Sequence, residues 1–215
     1  MARLKEENIP WDALAKLGIT KDYLVQSNNL ENLLNYQKTS LLSIKGKLPN
    51  IEITGGHAKL MMRNNENGQP ELRLELVRKA PNLKGSIYGT YLDDTQKQQI
   101  LSGGCANIVC STKNGDLNLL VSLDTDTNRL NHQDASKVSI QDTIAGVKLT
   151  DDQKADLKCG KQILVTGMQK KNGETFDAKV SYNSVNKGLV FIPEKSAQKT
   201  QNHQHSAKKS NGLSQ

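Results

Sequence analysis

The sequence predicts an α+β protein, with a small N-terminal three-helix head followed by a β-rich body that contains two repeated α-β-β units. Apolar residues keep helical spacing only as far as residue 37, and their period falls to two from Leu41 onward. A segment beginning at Leu92 then recurs at Leu149. These signals divide the chain into a helical head with β-hairpins over 1–90, a first repeat over 91–147, a second over 148–193, and a disordered polar, basic tail over 194–215.

In the head, Pro10 suits a first helical turn, and Trp11, Leu14 and Leu17 recur every three residues until Gly18 stops the helix. Thr20 is placed to cap a second helix carrying Tyr23 and Leu24, and Asn29 a third with Leu30, Leu33 and Leu34 on one stripe. Three helices allow a helix-turn-helix reading. Its exposed positions, Asn32, Asn35, Gln37 and Lys38, include no Arg, so a packing or protein-contact module is preferred. Leu41–Lys45 and Ile51–Thr54 read as short strands. Lys59–Arg63 and Glu71–Val77 flank the turn-forming run from Asn64 to Gly68, where Leu72, Leu74 and Leu76 alternate with Arg73 and Glu75 as a hairpin with one wet face.

The repeat aligns Leu92 through Gly103 with Leu149 through Gly160 at an offset of 57. The offset is 58 at Lys113-Asn114-Gly115 and 59 at Val121-Ser122, which implies single-residue insertions in the second copy. Each copy reads as an Asp-capped helix, a terminating Gly, a strand, an Asn-Gly turn and a second strand. In the second copy the strands are Gln162–Thr166 and Phe176–Tyr182, and Leu189–Phe191 follows as a third. Lys137–Ile140 is expected to complete the first copy.

Charge is uneven. The net of +7 is distributed as +4 over 1–90, −3 over 91–147, +3 over 148–193 and +3 in the tail, a field that attracts phosphate backbones but is weaker than a dedicated DNA-binding stripe. No run approaches the roughly 18 apolar residues of a membrane span, so a cytoplasmic protein is expected. Cys105, Cys110 and Cys159 are odd in number and lack CxxC spacing, and are read as reduced, buried structural thiols. His57 after Gly55-Gly56 lacks any phosphate-loop pattern and is read as a loop histidine. Asp124, Asp126, His132 and Asp134 match part of a calcium loop but lack its Gly and its bidentate Glu, leaving an Asx-rich turn. Asp93-Asp94 and Asp151-Asp152 sit at helix starts, where they complement the dipole. His203 and His205 form an HxH pair in the polar tail, without a third ligand. No nucleophile has a base at useful spacing, so no catalytic residue, cofactor or metal is assigned and the chain is read as non-enzymatic.

The segments IPWDALAKLGI, GHAKLMMR, VRKAPNL, VSLDTDTNRL and GVKLTDDQKADLKCGKQILVTGMQKKNGETFDAKVSYNSVNKGLVFIP, spread over about 9–193, resemble two adjoining domain-of-unknown-function families of Bacteroidetes conjugative elements. SYNSVNKG stands where an Asn-Ala pair is common in the second family. The resemblance implies a mobile-element setting near DNA topoisomerase, primase or mobilisation genes, and no particular reaction. On this basis the chain is expected to be an accessory protein that meets backbone phosphates non-specifically through Arg73, Arg78, Lys79, Lys161, Lys170, Lys171, Lys179 and Lys187. The alternative is a protein-interaction module that docks a topoisomerase, relaxase or host factor through Trp11, Leu14, Leu17 and Leu24 if these are surplus to the core.

Overall fold

The computed structural model describes residues 3–48 and 51–192, and the tail expected over 194–215 lies outside the described residues. These residues form a mixed, mostly β protein with five short α-helices and four small antiparallel sheets. Among them, no helix is long and apolar enough to cross a membrane.

The head opens with a 3-10 turn at Glu6–Asn8, followed by α1 (Trp11–Ala15), α2 (Lys21–Gln26) and α3 (Leu30–Leu34). Helices of five or six residues are far too short to persist alone. The head is therefore a string of single turns laid on a sheet rather than a three-helix bundle. That sheet is β1 (Leu42–Leu48), β2 (Ile51–Asn64) and β3 (Pro70–Leu76) in sequential order. Leu14, Leu17, Leu24 and Leu33 are fully buried in a core shared with Leu42, Ile44, Leu60 and Met62. Thr20 caps α2, accepting from the Tyr23 N–H at 3.2 Å. Asn29 precedes α3 without capping it, because its side chain is taken by the 27–40 loop: Oδ1 accepts from the Ser40 N–H and Nδ2 donates to the Ser27 carbonyl.

The two strands expected around the Gly-Gly-His step are one. Strand β2 pairs with β1 along its first half and with β3 along its second, so Gly55 and Gly56 lie inside one strand, beside the bulge where the β1–β2 register shifts. His57 is accordingly an exposed strand residue opposite Ser43, not a loop histidine.

Both repeats have the same topology. The first is α4 (Asp94–Leu101), β4 (Cys105–Thr112), β5 (Gly115–Asp124) and β6 (Arg129–Asp134). In the second, a small hairpin of β7 (Thr143–Ile144) and β8 (Val147–Lys148) leads into α5 (Asp151–Lys158), β9 (Ile163–Gln169), β10 (Thr175–Asn183) and β11 (Gly188–Ile192). In each, one helix precedes a three-stranded antiparallel meander. Both helices begin with a reciprocal capping box, Asp93 with Gln96 and Thr150 with Gln153. The second cap is thus Thr150, and Asp151 and Asp152 fall inside the first turn.

Similarity extends beyond the matched letters. Ile87 bridges Thr90 as Ile144 bridges Val147, across turns whose central residues have φ of 47° and 83° (Tyr88, Gly89) and 46° and 86° (Ala145, Gly146). The turns after β5 and β10 both contain a left-handed residue, Asn128 at 53° and Lys187 at 52°. The first insertion is absorbed as a bulge near Gly167, where the β9–β10 register shifts.

Two further expectations are corrected. The first repeat is completed by β6, not by Lys137–Ile140: Lys137 ends a 3-10 turn, and Val138 and Ile140 are buried in the core of the second repeat. Cys105 and Cys110 are buried, but Cys159 is exposed. Burial pushes the Cys105 thiol above its ordinary value, which keeps it protonated at neutral pH.

The repeats share a core. Cys105 and Leu120 join Val165, Met168, Val180 and Tyr182, and Ser184 Oγ donates to the Leu120 carbonyl at 2.6 Å. Tyr182 is almost wholly buried and its hydroxyl donates to Gln133 Oε1 at 2.6 Å. Tyr182→Phe is expected to cost about 1 kcal/mol of stability by urea unfolding. A cost near zero would mean that Gln133 finds another donor.

Candidate nucleic-acid interface

The sequence-predicted basic residues do not form one patch. Arg73 pairs with Glu71 at 3.0 Å, Lys161 with Asp156 at 2.7 Å and Lys170 with Glu174 at 2.9 Å. Lys79, Lys171 and Lys179 are exposed on separate elements. The hairpin with Lys170 and Lys171 and the turn with Lys187 lie at opposite ends of β10, about 30 Å apart at roughly 3.3 Å per residue. The proposed docking residues are also committed elsewhere: Leu14, Leu17 and Leu24 are buried in the head's own core, and Trp11 is half-buried against it.

What does converge lies where the head meets the two repeats. The head is tied to the first repeat by Lys59 on β2, whose Nζ lies 3.0 Å from Asp124 and 2.8 Å from Asp126. The expected acidic turn therefore holds a lysine ammonium, with Asp124 Oδ1 also accepting from the Asp126 N–H. Alongside it the Arg78 N–H donates to the Thr127 carbonyl, Asn128 Nδ2 to the Arg78 carbonyl and Arg129 Nε to the Leu76 carbonyl. Arg129 is held below its ordinary value by burial and by the neighbouring Arg78.

Next to this seam is a cleft of about 310 Å³ whose walls come from all three parts of the chain. The head contributes Tyr36, Lys38 and Arg63, the first repeat Asn131 and His132, and the second repeat Lys187. No carboxylate lines it. Lys38 is held by Glu75 at 2.7 Å and by Asn131 Oδ1, whereas among the described residues Arg63 and Lys187 have no carboxylate partner within 4 Å. The Asn131 amide nitrogen is buried without a hydrogen-bond partner. His132 rests edge-on against Tyr88, with ring centroids 5.5 Å apart. Its imidazole is held below 6.5, first by loss of solvent around the ring and then by the charges of Arg63 and Lys38. The cleft is a positive space without carboxylates, lined in part by Tyr36 and His132.

Of the eight basic residues singled out in the sequence, Lys187 lines this cleft, and Arg78 lines a neighbouring hollow with Arg129. Arg63 was missed, while Lys38 and His132 were weighed in other roles, as a helix-turn-helix reader position and as part of the acidic turn. Arg63 stands alone between apolar and Asn-rich stretches, and nothing local marks it. A further open depression is lined by Asp142, Lys148 and Lys154, with Lys154 ion-paired to Asp142 and Asp151. Among the described residues, no three His, Cys, Asp or Glu side chains are arranged to hold a metal ion.

Comparison with known proteins gives two family-model matches. Residues 4–86 are similar to a family described as Protein of unknown function (DUF4099), and residues 141–194 to one described as Protein of unknown function (DUF3945). The first match covers the head and its sheet, and the second covers the second repeat. The two do not adjoin, since the first repeat lies between them. Neither description names a ligand, a partner or a source. No curated protein and no solved structure matches the chain.

Proposed function

We propose that the chain is a non-enzymatic accessory protein of a conjugative or other mobile element, associating with nucleic acid through backbone phosphates without reading sequence. The observation that supports this reading is the carboxylate-free basic cleft carrying Arg63 and Lys187 at the junction of head and repeats. A phosphate there gains charge-assisted donors from two walls at once.

Titration against single-stranded and duplex nucleic acid at several salt concentrations tests the reading. Affinity is expected to fall with salt, with a log–log slope near −2 on a single strand if about three phosphates are neutralised at ~0.7 each. Binding no tighter than about millimolar at low salt would eliminate it. A second reading, docking of a DNA-processing protein, draws support from Tyr88, Tyr91 and Val109. All three are more than half exposed, Tyr88 against His132 on one face of the first repeat's sheet and Val109 on the other, opposite Asn118.

A further inference from the structure

We propose that the cleft between the head and the repeats seats one nucleotide of a single-stranded nucleic acid, with Arg63 and Lys187 on its phosphate and Tyr36 and His132 beside its base. The inference rests on the nucleic-acid reading above and assigns it a site and a strand type.

Four features lead to it. The sign is settled by the lining, which has three cationic side chains and no carboxylate. Because Lys38 is already engaged by Glu75, the uncompensated charges are Arg63 on β2 and Lys187 in the β10–β11 turn, both exposed and on different walls. The volume of about 310 Å³ is at the lower end of the roughly 300–1,000 Å³ of ligand pockets, a size suited to one monomer unit. Tyr36 and His132 line the cleft, Tyr36 packed in part against the head's core and His132 edge-on against Tyr88. Bases in a duplex already have both faces covered, so aromatic side chains at a cleft select unpaired ones.

The test is fluorescence anisotropy of the full chain with a labelled oligothymidylate, with the same strand in a duplex, and with thymidine triphosphate as competitor. Arg63→Gln replaces an exposed strand residue. Lys187→Asn keeps a residue type that tolerates the left-handed φ of 52°. Each is expected to weaken single-strand binding about tenfold and to reduce the salt slope by up to about 0.7. The pair Lys170→Gln and Lys171→Gln, at the far end of β10, is expected to leave affinity within about twofold. Unchanged circular dichroism and melting would show that the variants fold. As a second readout, a phosphate beside Arg63 and Lys38 offsets their charge, so the His132 ring resonances are expected to titrate at higher pH when the oligonucleotide is bound.

If the wild type binds single strands and both cleft variants bind equally well, the site is wrong and the general reading stands. If the wild type binds no nucleic acid, both fall. Duplex binding as tight as single-strand binding would overturn the strand assignment. So would displacement by thymidine triphosphate at concentrations matching the oligonucleotide.

Discussion

Replacing Lys59 by Met is expected to destabilise the protein by about 3 kcal/mol, the loss that follows when one partner of a buried ion pair is removed. The side chain of Asp124 is 2% exposed and that of Lys59 10%, so without the ammonium the Asp124 carboxylate is left in a poorly solvated place. Asp126 is different, since its side chain is 56% exposed. Asp126→Asn is therefore expected to cost less than about 1 kcal/mol. Adding Asp124→Asn to Lys59→Met removes the stranded charge and should recover part of the loss. Urea unfolding measures all three as midpoint shifts at constant slope, and a neutral Lys59→Met would refute the argument. The pH dependence has a definite sign. Burial alone lowers the Lys59 pKa, but the hydrogen bonds to Asp126 and Asp124 outweigh it and the pKa is raised above 10.5. A raised lysine pKa adds stability that is fully present below 10.5 and is lost as pH climbs through the higher folded value.

Gly46→Ala is expected to be as damaging, about 3 kcal/mol or more, from overpacking added to backbone strain. A Cβ at residue 46 would lie 1.7 Å from the Lys16 carbonyl oxygen, and the backbone there has φ of 154°. The closeness has a purpose. At the bulge between Ile44 and Gly46 the strand turns its amides to the end of α1, so the Lys45 N–H donates to the Leu17 carbonyl and the Lys47 N–H to that of Lys16. These bonds satisfy the carbonyls of Lys16 and Leu17, at and just past the end of a one-turn helix that has no further turn to pair them. Thermal melting of Gly46→Ala beside Gly68→Ala isolates the clash, because Gly68 also has positive φ, 76°, but nothing within 4 Å of its Cβ position. Equal losses in the two would mean that backbone strain alone is at work.

Local signals made much of the fold legible. The helix starts at Thr20 and Asp93 and the stops at Gly18, Gly103 and Gly160 are written in residues suited to those positions, the second repeat's cap was read one residue late, and the repeat marked two units of one topology. The failures share a cause. Val138 and Ile140 alternate as a strand would, yet they fill the neighbouring repeat's core, while the true third strand, RLNHQD, is polar because it borders the cleft and the seam with the head. Gly-Gly in β2 looks like a break, yet β1 runs beside it and β2 continues through it to pair with β3. The site was less legible than the fold. Lys59 finds Asp124 65 residues away, and Arg63, His132 and Lys187 meet only once three modules have docked. A count of lysines favoured the exposed ones, several of which already have carboxylates beside them.

The sequential strand order has a consequence for how the chain reaches this state. All three of the larger sheets are meanders, so every strand ladder joins neighbours along the chain and none waits for a distant segment. Entropy of loop closure is then small at each step. A β-rich protein wired this way has a low contact order for its class and is expected to fold faster than sandwiches of similar size. During synthesis each meander can close soon after its last strand emerges, head first and second repeat last. The cleft, which needs all three, is the final part of the molecule to exist.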